Sequence, residues 1–292
     1  MLMIRTFLLI FIWSLFSSAT FTQSEAFKHK SITQPFVLGE IDKLYSDILS
    51  ETRVLNIYFP EGYNKNEPIK YPVIYLLDGS ADEDFIHISG LVQYNSFEWV
   101  NRIPKSILVG IATVDRRRDY TFPTTIPEDA AKYPTSGHSD KFIAFLENEL
   151  IPYMDHNYPT NKNRSIIGQS LGGLLAADIL LKEPTLFSSY IIVSPSVWWD
   201  NGSLLLQDAN ISLKTIDSGI NVYIGVGKEG LTPTKIPRIM EEDAKVLADK
   251  LKSTQSKHVR IYFDYLPEEN HATIMHQAVS NAFKVLYSDK HK

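Results

Sequence analysis

Apolar and polar positions alternate along residues 36–60, through Lys43-Leu44-Tyr45-Ser46-Asp47-Ile48-Leu49 and Thr52-Arg53-Val54-Leu55-Asn56-Ile57-Tyr58-Phe59. A period of two turns one face to a core and one to water, so two antiparallel edge strands are predicted here. Beyond the polar turn at Asn64 to Pro68 further strands are predicted at Ser189 to Pro195, Asn221 to Gly227 and Val259 to Tyr265, and the pattern becomes continuous at Tyr71 to Leu77 and Ser106 to Ala112. Short runs without alternation are strands covered on both faces. Between them lie segments of helical period. Phe97 to Val100 is predicted to sit in one helix, and a second runs from about Ser139, with Phe142, Ile143, Leu146, Leu150 and Ile151 on one face and Ser139 as its cap. A third spans about Ile239 to Lys252, where Glu241, Glu242 and Asp243 are expected to form a solvated first turn. A last helix follows His271. Residues 113–137 are a long polar excursion with prolines, predicted to be an ordered loop over the active edge of the sheet. Strand and helix alternate throughout, which means an α/β fold with a mostly parallel central sheet, helices on both faces and ligands at the carboxyl ends of the strands. No internal repeat or second domain breaks the pattern, and residues 36–289 are expected to form one domain.

One run stands out because it changes character midway. Ile166-Ile167-Gly168-Gln169-Ser170-Leu171-Gly172-Gly173 passes from β-branched residues into a glycine-flanked serine and continues as Leu174-Leu175-Ala176-Ala177. Strand, tight turn and helix follow. Small residues two before and two after the serine suit such a turn, because a Cβ there would meet facing backbone. The turn lifts the Ser170 hydroxyl clear of the sheet edge, where it is a candidate nucleophile. A serine needs a base, and the base needs a third group to orient it. In strand-turn-helix serine sites these follow in the order acid, then histidine, each after a later strand. His271, between the final strand and the final helix, meets that order. Glu229, just past the strand that ends at Gly227, is the candidate acid, and a serine-histidine dyad without it stays open. The oxyanion of an acyl-transfer intermediate requires two N–H donors. Leu171 supplies one; Ser80 or Gly79, in the turn after Leu77-Asp78, supplies the other.

Composition narrows the chemistry. The chain has 292 residues, 44% of them hydrophobic, no cysteine, and a formal net charge of -5. Disulfides and thiolate metal sites are excluded. The charges are interspersed, and the one basic cluster is Arg116-Arg117-Arg118, which argues against a nucleic-acid partner. His271 and His276 are five apart, off the spacing of a helical metal pair, and neither a metal nor another cofactor is expected. Residues 1–19 hold one charge, Arg5, then ten apolar or small residues and Ser17-Ser18-Ala19. That is a signal-peptide pattern, too short for a membrane span, so a secreted or periplasmic protein with no stable membrane insertion after cleavage is expected, with 20–35 as a linker.

Several motifs together carry a family resemblance: Leu49-Ser50-Glu51-Thr52-Arg53, Tyr71 to Gly79, Asp115-Arg116-Arg117-Arg118-Asp119, Gly168 to Gly173, Ser194-Pro195-Ser196-Val197-Trp198-Trp199 and Glu269-Asn270-His271. In these the chain resembles an esterase family of the α/β-hydrolase superfamily, on its siderophore-esterase-like branch, over nearly all of its length after the leader. The resemblance implies an α/β-hydrolase fold without a lid domain and a serine carboxylester hydrolase with Ser170 as nucleophile, His271 as base, and Ser80 with Leu171 as oxyanion donors. Its partner is then a small-molecule ester. Arg116 and Arg118 are expected either to hold an anionic acyl group or catecholate or to pair with Asp115 and Asp119 and fix the loop, and Trp198 and Trp199 either to stack on an aromatic ring or to lie in the core. Acyl transfer to an acceptor other than water, or a hydrolase fold that only binds a siderophore or glycan, are the alternatives.

Overall fold

The computed structural model describes residues 33–209, 213, 216–232 and 234–287. The expected signal peptide and most of the expected linker lie outside them. The chain divides after Val37, and Leu38–Lys292 holds the fold. Eight strands form one sheet: β1 (Gly39–Ser46), β2 (Glu51–Tyr58), β3 (Tyr71–Leu76), β4 (Ile107–Ile111), β5 (Thr160–Gln169), β6 (Ser189–Val193), β7 (Ile220–Gly227) and β8 (Val259–Leu266). Their order is β1-β2-β4-β3-β5-β6-β7-β8. β1 and β2 are an antiparallel edge, as the alternation predicts, and β4, β3, β5, β6, β7 and β8 run parallel.

The continuous apolar runs feed two cores at once. Val73 and Tyr75 of β3, Ile107, Val109 and Ile111 of β4, and Tyr190 and Ile192 of β6 point into one core. Ile74, Leu76, Leu108, Ile191 and Val193 point into the other. Each face therefore needs its own helices. α1 (Phe85–Ser96) and α8 (Ile274–Leu286) cover the second face, while α4 (Ser139–Phe145), α5 (Ile151–Asn157), α6 (Leu171–Lys182) and α7 (Met240–Ser253) cover the first. α4 and α5 are joined by a π turn at Leu146–Leu150. Pro152, which lacks the N–H that Asn148 would receive, sits just beyond it.

Four local expectations differ. The helix predicted at Phe97 to Val100 lies earlier, as α1, and Phe97 only caps it: the apolar residues Phe85, Ile88, Leu91 and Val92 are its buried stripe. Residues 113–137 carry two short helices, α2 (Arg116–Tyr120) and α3 (Pro127–Lys132). Ser139 does not cap α4: His138 holds the cap position, and the Ser139 hydroxyl, inside the first turn, donates to Asp178 of α6 at 3.1 Å. The first turn of α7 is not fully solvated: Asp243 is buried in a fork with Arg238, at 2.6 and 2.7 Å, and Glu241 accepts from the Gly230 N–H.

Candidate active site

β3, β5, β6, β7 and β8 are neighbours in that order and parallel, so their carboxyl ends form one row. At a strand spacing of about 4.8 Å, residues far apart in the chain meet along it. From it emerge Asp78 to Ser80, Ser170, Ser194 to Ser196, Glu229 and His271.

Ser170 links β5 to α6 with φ of 59° and ψ of -117°, a left-handed backbone that a non-glycine residue adopts at a cost. Its N–H is held by the Val193 carbonyl at 3.0 Å, and its carbonyl by Leu174 and Ser196 N–H groups at 2.9 Å each. The glycine pattern is explained in part. A Cβ on Gly168 would come within 2.3 Å of the Gly172 carbonyl oxygen, and one on Gly173 within 2.9 Å of the Val193 carbonyl oxygen. Gly172 itself has room, its nearest neighbours standing at 3.4 Å. The close packing thus requires Gly168 and Gly173, whereas at Gly172 the expected backbone collision is absent.

Glu229 and His271 come together. Nδ1 of His271 lies 2.7 Å from Oε2 of Glu229, a side chain 2% exposed. The other carboxylate oxygen accepts from the Ser194 hydroxyl and, at 3.4 Å, from the Gly227 N–H. Against an ionised carboxylate, which only accepts, a neutral imidazole would carry its proton on Nδ1 and its lone pair on Nε2. The two loops are tied to each other and to the serine turn. Lys228 N–H donates to the Glu269 carbonyl at 2.8 Å, Gly227 has no space for a Cβ against that carbonyl, and the Gln169 amide donates to the His271 carbonyl. Ser194, Ser196 and Gln169 escaped the sequence reading. Ser196, buried, has its Oγ 3.2 Å from Ser170 Oγ. Only the adjacency of Gln169 to the serine, and of Ser194-Pro195-Ser196 to a strand end, pointed their way.

The turn after β3 treats the N–H groups of Gly79 and Ser80 differently. Gly79 N–H is spent on the Ile111 carbonyl at 3.0 Å, and Gly79 is needed because a Cβ would strike Gly110 backbone at 2.3 Å. Gly79 is thereby ruled out as a donor. No hydrogen bond within the protein engages Ser80 N–H among the described residues, and Leu171, first in α6, has its N–H outside the helical ladder.

The arginines are engaged by the protein. Arg116 makes a two-pronged contact with Asp78, 2.9 Å on each prong, and donates to the Gln169 carbonyl at 3.1 Å. Burial works against its charge, but the hydrogen bond and charge of Asp78 outweigh this and raise its pKa. Arg118 pairs with Asp119 and Glu51, which raise its pKa in turn, and buried Arg53 joins the same two carboxylates. Arg118 therefore fixes α2 against β2 and is not presented to a ligand. The tryptophans separate as well. Trp199 is fully buried, its indole N–H on the Phe122 carbonyl at 2.9 Å, which removes it from any stack with a substrate. Trp198 is half-buried and lines a cavity of about 170 Å³ with Ile126, Pro127, Asn201 and Ile236. The exposed pair Glu128 and Lys235 bridges the cavity's rim.

Comparison with known proteins places the chain in a family. The family model described as "Putative esterase" matches residues 46–281. The ferri-bacillibactin esterase BesA of Bacillus subtilis (strain 168) is 30% identical over 249 residues, covering 80% of this chain and 85% of its own. The siderophore triacetylfusarinine C esterase of Aspergillus fumigatus is 27% identical over 60% of this chain and 65% of its own. Among solved structures, an IroE-like serine hydrolase from Shewanella oneidensis superposes with a TM-score of 0.76 at 30% identity, covering 86% of this chain and 80% of that one. The BES protein from Bacillus cereus gives 0.75 at 25% identity, over 89% and 99%. With a family match across most of its length and superposition on these neighbours, the chain belongs to the esterase family and is a serine carboxylester hydrolase of the α/β-hydrolase fold.

Proposed function

We propose that the enzyme cleaves its ester through an acyl-enzyme on Ser170, with His271 as general base and Glu229 as the acid that orients it. The observation that carries the reading is the 2.7 Å contact between His271 and a buried Glu229, on the same strand-end row as the strained Ser170 turn. In this reading His271 Nε2 takes the Ser170 proton as the hydroxyl oxygen attacks the ester carbonyl. The negative charge on the former carbonyl oxygen is met by Ser80 and Leu171 N–H groups. The alcohol departs with the proton from His271, and water repeats the sequence to release the acid.

The natural substrate is proposed to be an ester-linked iron chelator or a fragment of one. The names of BesA and the Aspergillus fumigatus relative support this class, and the apolar cavity beside Trp198 suits a flat ring. Export by the leader at residues 1–19 would put the enzyme outside the cytoplasm. The deciding experiment is an ester panel that includes a catecholate trilactone, feruloyl and acetylated-sugar esters and short p-nitrophenyl esters. Wild type is expected to hydrolyse the panel's preferred ester and to be labelled at Ser170 by a fluorophosphonate. Full activity in Ser170→Ala refutes the nucleophile assignment.

A further inference from the structure

The role left open is that of Arg116. It sits at the start of α2, one-third exposed at the edge of the site, where a cation looks like an anchor for a substrate anion. Three of its five N–H donors are taken by the protein. Nε and one terminal nitrogen grip the two oxygens of Asp78, and that same terminal nitrogen reaches the main-chain oxygen of Gln169. Asp78 opens the turn that presents Ser80 N–H. Gln169 immediately precedes Ser170 and lies two residues before Leu171.

The Asp78 end of this bridge is firmly set. Asp78 has φ of 53°, its N–H donates to the hydroxyl of fully buried Tyr120 at 3.1 Å, and its Oδ1 also accepts from Thr113 at 3.0 Å. The next residue is locked in turn: Asn56 donates to the Gly79 carbonyl at 2.8 Å, and Gly79 N–H is bound to Ile111. A non-glycine residue persists in a left-handed conformation only where its surroundings determine it, and such strain concentrates at functional turns. The other end is the Ser170 turn, itself strained. β3 and β5 are adjacent strands whose pairing runs to Leu76 and Ile167, with the Leu77 N–H still bound to the Ile167 carbonyl at 3.0 Å. Beyond that point, Arg116 spans the gap between the two turns.

We infer that Arg116 is a positioning residue whose guanidinium, bound to Asp78 and to the Gln169 carbonyl, sets the spacing between the two oxyanion donors, Ser80 N–H and Leu171 N–H. This rests on the proposed Ser170 mechanism. A planar fork serves here because two parallel hydrogen bonds fix the angle as well as the distance, which an ammonium cannot do.

The test compares wild type with Arg116→Gln, Arg116→Lys and Asp78→Asn on a matched pair of neutral and anionic esters, with rates normalised to the fraction of enzyme that a fluorophosphonate titrates. The expected result is a fall in kcat of about 10- to 100-fold, on the scale of a weakened oxyanion donor. KM should stay within about 2-fold and the loss should be equal for both esters. Arg116→Lys should recover little, and the double variant Arg116→Gln/Asp78→Asn should be no worse than either single one. Affinity for a trifluoromethyl ketone, whose hemiketal oxyanion occupies the same hole, should fall in step with kcat/KM, a readout that simple loss of stability would not move. Asp78→Asn keeps the question answerable if Arg116→Gln fails to fold. A rise in KM confined to the anionic ester, with kcat unchanged, overturns the inference in favour of a substrate anchor. Unchanged normalised kinetics in all variants also overturns it. Failure of wild type itself to label or turn over would instead count against the Ser170 mechanism.

Discussion

Nδ1 of His271 and Oε2 of Glu229 are 2.7 Å apart, joined across 42 residues of sequence by the parallel pairing of β7 with β8. The carboxylate is buried while the imidazole is 45% exposed, so the pair has one fixed end and one working end. Replacing Glu229 by Gln keeps an acceptor for Ser194 but removes the charge that supports a protonated imidazole. kcat is expected to fall by about 10²- to 10⁴-fold with KM little changed, measured on a chromogenic ester under saturating conditions. Activity at the wild-type level would reduce the site to a serine-histidine dyad.

The glycines around Ser170 should respond unequally. Gly168→Ala drives a Cβ into the Gly172 carbonyl and Gly173→Ala drives one against the Val193 carbonyl, contacts made of backbone that cannot step aside. Each is expected to cost about 1–3 kcal/mol or more. Gly172→Ala meets ordinary contacts and gains helix propensity, so stability should change by less than about 1 kcal/mol. Urea unfolding of the three variants separates them, and equal losses would contradict the packing described.

The paired tryptophans make a second contrast. Trp199→Ala removes a buried indole and leaves the Phe122 carbonyl without its donor, for a loss of about 3–5 kcal/mol. Trp198→Ala should lower stability by less than half as much and raise KM for aromatic esters several-fold more than for acetyl esters. Thermal denaturation and steady-state kinetics on both variants check this. A KM unaffected by Trp198→Ala would place ring binding elsewhere.

Acid should loosen the hold of Asp200 on Thr124 and Thr125. Burial alone would raise its pKa, but hydrogen bonds from Ser203, Thr125 and Thr124 outweigh it and hold the carboxyl below its ordinary value. The Thr125 N–H and hydroxyl donate at 2.6 and 2.8 Å. A depressed folded-state pKa means the charged form is favoured in the folded protein. The stabilisation is therefore complete above the unfolded value near 4 and is lost as pH falls through and below it. Asp200→Asn, which tolerates the φ of 49° found here, should lower Tm at pH 7 and flatten its decline between pH 5 and pH 3. An unchanged acid slope would show that other carboxylates control it.

What was legible in advance follows from range. β1, β2 and the buried strands appear as patterns because side-chain alternation depends on neighbours a few residues away. The Ser170 turn was readable for the same reason: its glycines, serine and helix are contiguous. α1 was misplaced because its buried stripe, Phe85 to Val92, is interrupted by His87, Ser89 and Gly90, whereas Phe97 to Val100 is denser in aromatic and apolar residues. Chain order also pointed to Glu229 and His271, but only as one acid and one histidine among many.

The amino-acid sequence by itself determined the strand and helix alternation and the glycine-flanked Ser170 turn, since each is written in local spacing. The tertiary structure alone decided how the charges and rings are used. Arg116 is bound to Asp78, Arg118 to Glu51 and Asp119, Gly79 N–H to Ile111, and Trp199 lies in the core beside a half-open Trp198. Each of the two arginines has a carboxylate partner 38 or 67 residues away. Such pairings arise from which strand ends the sheet order brings together, and no local pattern records them.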